Sequence, residues 1–273
     1  MLRTKLFINV IGIILYLSSN VFGFEINTTL MHYTYRIGGP TGEPNQLKYG
    51  TVFMMGIPDK NMPEKGYFVM VTAAHILEGI AGETATIDLR EKMADGKYKK
   101  RAYKVQIRNG KEPIWVRHPN VDVAVMKIDL PFFVSKLNEE IPLLSTELLA
   151  DDEMIEKYEI HPGDELLCLG YPYAKNANVF GFSILRSGKI ASYPLTPANE
   201  IKSFLYDCEI FPGNSGGPVY FVDKSRSYGE NIHLGQKIQF VAGLITKRSE
   251  ELHLAIVVPA HFIKETVELL DEK

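Results

Sequence analysis

The chain has little of what usually settles a function at a glance. It carries only two cysteines, Cys168 and Cys208, and neither Cys-x-x-Cys nor His-x-x-x-His occurs, so no zinc-site spacing exists. Its seven histidines are scattered, and nothing in the sequence asks for a metal or a cofactor. Neither charge dominates: 30 Lys and Arg against 33 Asp and Glu leave a net −3, no electrostatic ground for a nucleic-acid partner. The one dense basic run, Lys97 to Arg101, sits beside Asp95 and Gly96 and reads as a solvated hairpin tip. There is no internal repeat, low-complexity tract or long linker.

Long apolar runs are also missing, with one exception. Arg3 and Lys5 precede an apolar stretch from Leu6 to Leu17, followed by Ser18, Ser19, Asn20 and then Val21-Phe22-Gly23. This is a secretory signal pattern, and its apolar core is short for a bilayer span. The expectation is therefore a signal peptide over 1–23 and an exported chain from Phe24, periplasmic or secreted, without stable membrane insertion. An oxidising compartment permits a Cys168–Cys208 bridge, while a core of this size does without one. The bridge and a pair of buried thiols both stay open.

What is present is β-structure. Short apolar runs at Gly50–Gly56, Gly66–Thr72, Ala102–Arg108, Asp122–Ile128, Glu165–Gly170, Phe182–Ser187, Gln239–Ile245 and Leu252–Val258 are separated by Gly, Pro, Asn and Asp. Many short strands joined by such turns predict an all-β barrel or sandwich. Two stretches break the pattern. Ser145–Tyr158 reads as a short surface helix, and from Ala260 onward Ile263, Val267 and Leu270 fall on one helical face.

The strongest chemical signal is Phe211-Pro212-Gly213-Asn214-Ser215-Gly216-Gly217-Pro218-Val219. A serine between glycines suits a tight turn whose backbone N–H groups point outward and can receive an oxyanion. A serine hydroxyl needs a positioned base. His75 supplies a candidate at the end of an apolar run, in Thr72-Ala73-Ala74-His75. Asp122 enters another, in Asp122-Val123-Ala124-Val125. A carboxylate there is costly unless paired, and an imidazole N–H is a suitable partner that would fix the tautomer.

These three segments resemble the signature segments of trypsin-like serine peptidases of the chymotrypsin superfamily. They occur in that family's order, with 47 residues from His75 to Asp122 and 93 from Asp122 to Ser215. Tyr206-Asp207-Cys208-Glu209-Ile210-Phe211-Pro212-Gly213-Asn214-Ser215, with Leu169-Gly170-Tyr171-Pro172 and Ser187-Gly188-Lys189-Ile190, is similar in detail to the bacterial HtrA-type branch. Unlike HtrA, the sequence stops soon after this region, with no PDZ module. The resemblance implies two six-stranded antiparallel β-barrels over 24–273, dividing near 131–160, with a C-terminal helix. It implies protein or peptide substrates, His75, Asp122 and Ser215 as the catalytic triad, and an oxyanion hole from the N–H groups of Gly213 and Ser215. It also puts the Thr246 hydroxyl near the aspartate.

Two rivals stand beside an active endopeptidase: a catalytically silent fold serving as a secreted binding module, and an ester hydrolase. An α/β-hydrolase would need Gly-x-Ser-x-Gly between strand and helix, with the serine first. The same resemblance puts Glu209, Ile210, Thr246 and Lys247 around the substrate pocket, where the first two disagree. Glu209, six before Ser215, favours basic side chains; Ile210, five before it, favours small aliphatic ones. Lys247 and Arg248 are placed to neutralise Glu209, and the expectation is aliphatic preference. Finally, Tyr35-Arg36-Ile37-Gly38-Gly39 looks like a trypsin activation site, yet Asn214 before the serine offers no countercharge for a buried ammonium. No zymogen switch is expected, and Arg36–Pro40 reads as a plain turn.

Overall fold

Side chains that alternate between core and solvent, cut by glycine and asparagine turns, make strands of most of this chain. The computed structural model describes residues 25–58, 66–128, 144–229 and 231–272. The expected signal segment and residues 131–143 of the expected boundary lie outside them.

The N-terminal lobe is built from β1 (Thr34–Pro40), β2 (Leu47–Pro58), β3 (Gly66–Thr72), β4 (Thr84–Lys92), β5 (Tyr98–Gln106), the small ribbon β6 (Arg108–Asn109) and β7 (Glu112–Pro113), β8 (Val116–Arg117), β9 (Ala124–Ile128) and β10 (Leu144–Ser145). Its main sheet runs β5-β4-β1-β2-β3-β9-β8, with β10 added in parallel to β2. The C-terminal lobe is a closed six-stranded barrel. Its strands are β11 (Glu165–Gly170), β12 (Ile184–Ile190), β13 (Phe204–Asp207), β14 (Pro218–Tyr228), β15 (Asn231–Arg248) and β16 (Ala255–Pro259), in the order β11-β12-β13-β16-β15-β14. The expected all-β plan holds, with one lobe closed by six strands; the other carries an eight-stranded sheet in place of the second six-stranded barrel.

Helices are few and short. α1 (Ile26–Tyr33) opens the described chain, and its N-cap Glu25 accepts from the Thr28 N–H. α2 (Ala74–Glu78) follows β3 directly. Within Ser145–Tyr158 only α3 (Asp152–Lys157) is α-helical; β10 and a 3₁₀ turn, Thr146–Leu148, take its first part. After α4 (Ala198–Ile201), the terminal helix α5 (His261–Asp271) buries Phe262, Ile263, Val267 and Leu270. These join the core of the N-terminal lobe, so the end of the chain straps back over the first sheet. Each such side chain contributes about 1.5–3 kcal/mol.

One expectation fails. Arg36–Pro40 is not a turn but most of β1, paired residue by residue with β2 from Thr34↔Phe53 to Pro40↔Leu47. The two glycines that suggested a turn serve close packing instead. A Cβ on Gly38 would lie 2.5 Å from the Tyr49 ring, and one on Gly39 2.6 Å from Ile80 Cγ2.

Candidate active site

β3 delivers the chain to Thr72, and α2 begins two residues later, so His75 projects from the first turn of a helix rather than from the strand itself. Asp122 lies in the bend before β9, ahead of the strand it was expected to enter. β3 and β9 are antiparallel neighbours, with Thr72 opposite Ala124, which brings the two residues together. His75 Nδ1 lies 2.6 Å from Asp122 Oδ2, and the His75 backbone N–H donates to Asp122 Oδ1 at 2.9 Å. Burial alone would raise the Asp122 pKa, but the hydrogen bonds from His75 outweigh it and hold the carboxyl below its ordinary value. The aspartate therefore stays ionised and fixes the imidazole at Nδ1, leaving Nε2 for chemistry. The approach to this bend is itself braced. His118 Nδ1 accepts from the N–H groups of Asn120 and Val121, and its Nε2 pairs with Glu265 of α5 at 2.9 Å.

The serine loop belongs to the C-terminal lobe but is shaped by the other one. Thr51 of β2 donates its hydroxyl to the Gly213 carbonyl at 2.7 Å and its N–H to the Ser215 carbonyl at 2.8 Å. A Cβ on Gly216 (φ +86°) would stand 2.1 Å from the Thr51 carbonyl oxygen and 3.0 Å from Ala73 N. This loop thus lies directly against the segment that leads to His75. Asn214 is fully buried, its Oδ1 accepting from the Phe211 N–H. It fills its place with an amide and offers no charge.

Neither the Gly213 nor the Ser215 N–H has a hydrogen-bond partner among the described residues. The orientation of the first is set indirectly. The Pro212 carbonyl accepts from Tyr173 N–H at 2.6 Å, and in a trans peptide that turns the Gly213 N–H the opposite way. Gly213 has φ +101°, and a Cβ there would sit 2.2 Å from the Tyr171 carbonyl oxygen, so no other residue fits. Ser215 Oγ does not bond His75; it donates to the Thr246 carbonyl at 2.8 Å. That carbonyl is exposed by a bulge in β15, where the pairing with β16 shifts between Ile245 and Lys247. The Thr246 hydroxyl donates to the Ile256 carbonyl at 3.2 Å, so it does not support Asp122 as the resemblance implied.

Around the expected substrate pocket, Glu209 is exposed and Ile210 is 2% exposed within the barrel core. Lys247 is exposed, and neither it nor Arg248 forms an ion pair with Glu209. Cys168 and Cys208 are free, their sulfurs 4.0 Å apart and buried. The Cys168 thiol, hydrogen-bonded to the Cys208 sulfur and deeply buried, is pushed up in pKa.

The sequence reading missed a polar layer between the lobes. Arg90, 4% exposed, donates from Nη1 to Tyr171 Oη and the Gly181 carbonyl, and from Nη2 to the carbonyls of Met31, His32 and Thr34. Arg36 pairs with buried Asp88 and reaches the Ala174 carbonyl. The only signal for these in the sequence was a charged pair, Asp88 and Arg90, inside an otherwise alternating apolar run.

A paired histidine and aspartate from one lobe, with a serine on a glycine turn from the other, is the arrangement of a two-lobed serine hydrolase. The family model of the trypsin-like peptidase domain matches residues 61–226. The chain belongs to the trypsin-like peptidases, by class serine-type endopeptidases. No curated protein matches it. Among solved structures it is similar to the protease Anisep of Arthrobacter nicotinovorans (14% identity, TM-score 0.51, covering 90% of this chain and 98% of that one). It is also similar to a serine endoprotease of Yersinia pestis (16% identity, TM-score 0.49, covering 89% of this chain), of whose length it spans 64%. An active-form protease of M. tuberculosis shows 17% identity and a TM-score of 0.47, over 92% of this chain and 86% of that one. At such identities the likeness is one of fold.

Proposed function

We propose that this protein hydrolyses peptide bonds in exported protein or peptide substrates, with Ser215 as nucleophile, His75 as base and Asp122 as its orienting partner. The observation that carries this is the two-point hold of Asp122 on His75, through Nδ1 at 2.6 Å and the backbone N–H at 2.9 Å. Ser215 Oγ exchanges its resting bond to Thr246 for His75 Nε2, gives up its proton there and attacks the scissile carbonyl. The oxyanion is received by the free N–H groups of Gly213 and Ser215, worth roughly 3–4 kcal/mol per donor. His75 returns the proton to the leaving amine. Water, deprotonated by His75, then cleaves the acyl-ester and regenerates Ser215. The peptidase unit is taken as residues 24–273, released by signal cleavage into the periplasm or medium.

The resting Ser215–Thr246 bond favours a second reading, a silent fold used for binding. A fluorophosphonate probe separates the two: labelling at Ser215 with turnover of casein supports the peptidase, and neither supports the binder. For specificity, the buried Ile210 and solvent-facing Glu209 support small aliphatic residues before the scissile bond. A peptide-library profile unchanged in Glu209→Ala is the expected result. Cleavage mainly after Lys or Arg, abolished in that variant, would reverse the assignment.

A further inference from the structure

We propose that Arg36, with Asp88 behind it, is a positioning residue that sets the oxyanion-binding N–H of Gly213 from the opposite lobe. The proposal rests on the catalytic reading of Ser215. Arg36 Nη2 lies 2.5 Å from Asp88 Oδ2, and its Nη1 donates to the Ala174 carbonyl at 2.8 Å. The Asp88 side chain is only 6% exposed, with Lys100 Nζ at 3.7 Å as its other cation. A carboxylate so buried keeps the guanidinium beside it as an ion pair, and the planar fork then carries the remaining nitrogen to the Ala174 carbonyl.

What Arg36 grips is an unusual turn. Tyr173 and Ala174 are consecutive non-glycine residues in the left-handed region, at φ 51° and 58°. Such conformations are disfavoured and persist where surrounding contacts over-determine them. The Arg36 bond to Ala174 is one of these contacts, and the tilted ring contact of Tyr173 with Phe211, centroids 5.1 Å apart, is another. This turn in turn presents the Tyr173 N–H to the Pro212 carbonyl at 2.6 Å. The same peptide unit carries the Gly213 N–H at its other end. A continuous series of contacts therefore runs from Asp88 through Arg36, Ala174, Tyr173 and Pro212 to the oxyanion donor. If the turn relaxes, the Pro212–Gly213 peptide loses the bond that fixes its plane, and the Gly213 N–H turns away from the developing negative charge. β1 does not depend on the Arg36 side chain, since its seven backbone pairs with β2 remain.

The test uses the purified protein and two variants, Arg36→Gln and Arg36→Lys. The lysine variant keeps the charge beside Asp88 but cannot make both contacts. Active molecules are counted by fluorophosphonate titration, and kcat, KM, melting temperature and the affinity of a peptide aldehyde, whose hemiacetal carries the oxyanion, are measured. Expected for Arg36→Gln is a fall of about ten- to hundredfold in kcat, short of the full loss of a donor. Aldehyde affinity should fall in parallel, with KM within about twofold. Arg36→Lys should fold as the wild type does and still lose about tenfold in kcat. Wild-type kcat and aldehyde affinity per titrated site in the lysine variant, or loss of activity only in proportion to unfolding, would overturn the proposal. A wild-type protein that neither labels nor turns over removes the catalytic reading, and this inference with it.

Discussion

The two lobes contribute to the site in opposite ways. In the N-terminal lobe His75 and Asp122 are fixed by local structure, at the ends of two neighbouring strands whose side chains are packed in a continuous apolar core. Their mutual contact is made within that lobe, whose core α5 completes and whose approach to Asp122 is braced by Glu265 of that helix. In the C-terminal barrel, Ser215 sits on a loop whose carbonyls at Gly213 and Ser215 are satisfied by Thr51, a residue of the first sheet. The His75–Asp122 pair is held within the first lobe, whereas the Ser215 loop is shaped by its neighbour. A buried backbone carbonyl without a partner is expensive, so the loop's conformation is only as good as the docking of the lobes.

Removing the proposed nucleophile is the severest way to probe that division. Ser215→Ala should lower kcat by about 10⁶-fold, while the melting temperature stays close to wild type because the change is small and Ser215 is itself partly exposed. Residual turnover near wild type on casein would mean that the C-terminal loop does not supply the nucleophile at all.

A subtler change attacks the dependence itself. Thr51→Val keeps shape and burial but leaves the Gly213 carbonyl unpaired, at a cost of about 1–3 kcal/mol. Displacement of the Ser215 loop should reduce kcat roughly ten- to hundredfold, with the His75–Asp122 contact intact. Chemical denaturation and steady-state kinetics of the variant measure both. Unchanged values would show the two halves to be independent.

The smallest effect concerns the seam between them. His32, against Tyr98 and Phe182, is lowered from its ordinary 6.5 to about 4, first by burial and then by Arg90 and Lys92. In the unfolded chain it takes a proton as pH drops past 6.5, and in the fold only near 4. The unfolded state therefore binds the extra proton between those values, and stability present above 6.5 declines as pH falls toward 4. His32→Phe preserves the ring packing and should flatten the melting temperature over that window. An unaltered slope would place the acid sensitivity elsewhere.

Much of this was legible in the sequence, for identifiable reasons. His75 and Asp122 each stand at the margin of an apolar run, where a polar residue is conspicuous, and Ser215 is marked by the glycines on either side of it. β3 and β11 fall on the bounds their composition suggested, because each is a short apolar run ended by a change of residue type. β1 was hidden by Gly38, Gly39 and Pro40, whose small size answers to Tyr49 and Ile80 and not to a bend. β4 was missed although Ala85, Ile87 and Leu89 alternate with Thr86, Asp88 and Arg90; the burial of the two charges, Arg90 reaching the other lobe and Asp88 pairing with Arg36, leaves no mark in that pattern. The resting bond of Ser215 to Thr246 depends on a bulge, and bulges leave no mark in residue type. What local pattern conveyed was each half by itself; what it withheld was the contact between them.

Arg36 and Thr51 are opposite one another in the β1–β2 ladder, so a single rung of the first sheet reaches both the Ala174 turn and the serine loop. Seen as a sequence of events in time, this makes activity a late arrival. The β1–β2 ladder lies wholly within the first lobe, which also holds Trp115, the only tryptophan in the sequence, among its buried residues. The serine loop finds its partners only at docking. After dilution from denaturant, tryptophan fluorescence should recover ahead of peptidase turnover, and the interval between the two signals is the time the lobes take to meet.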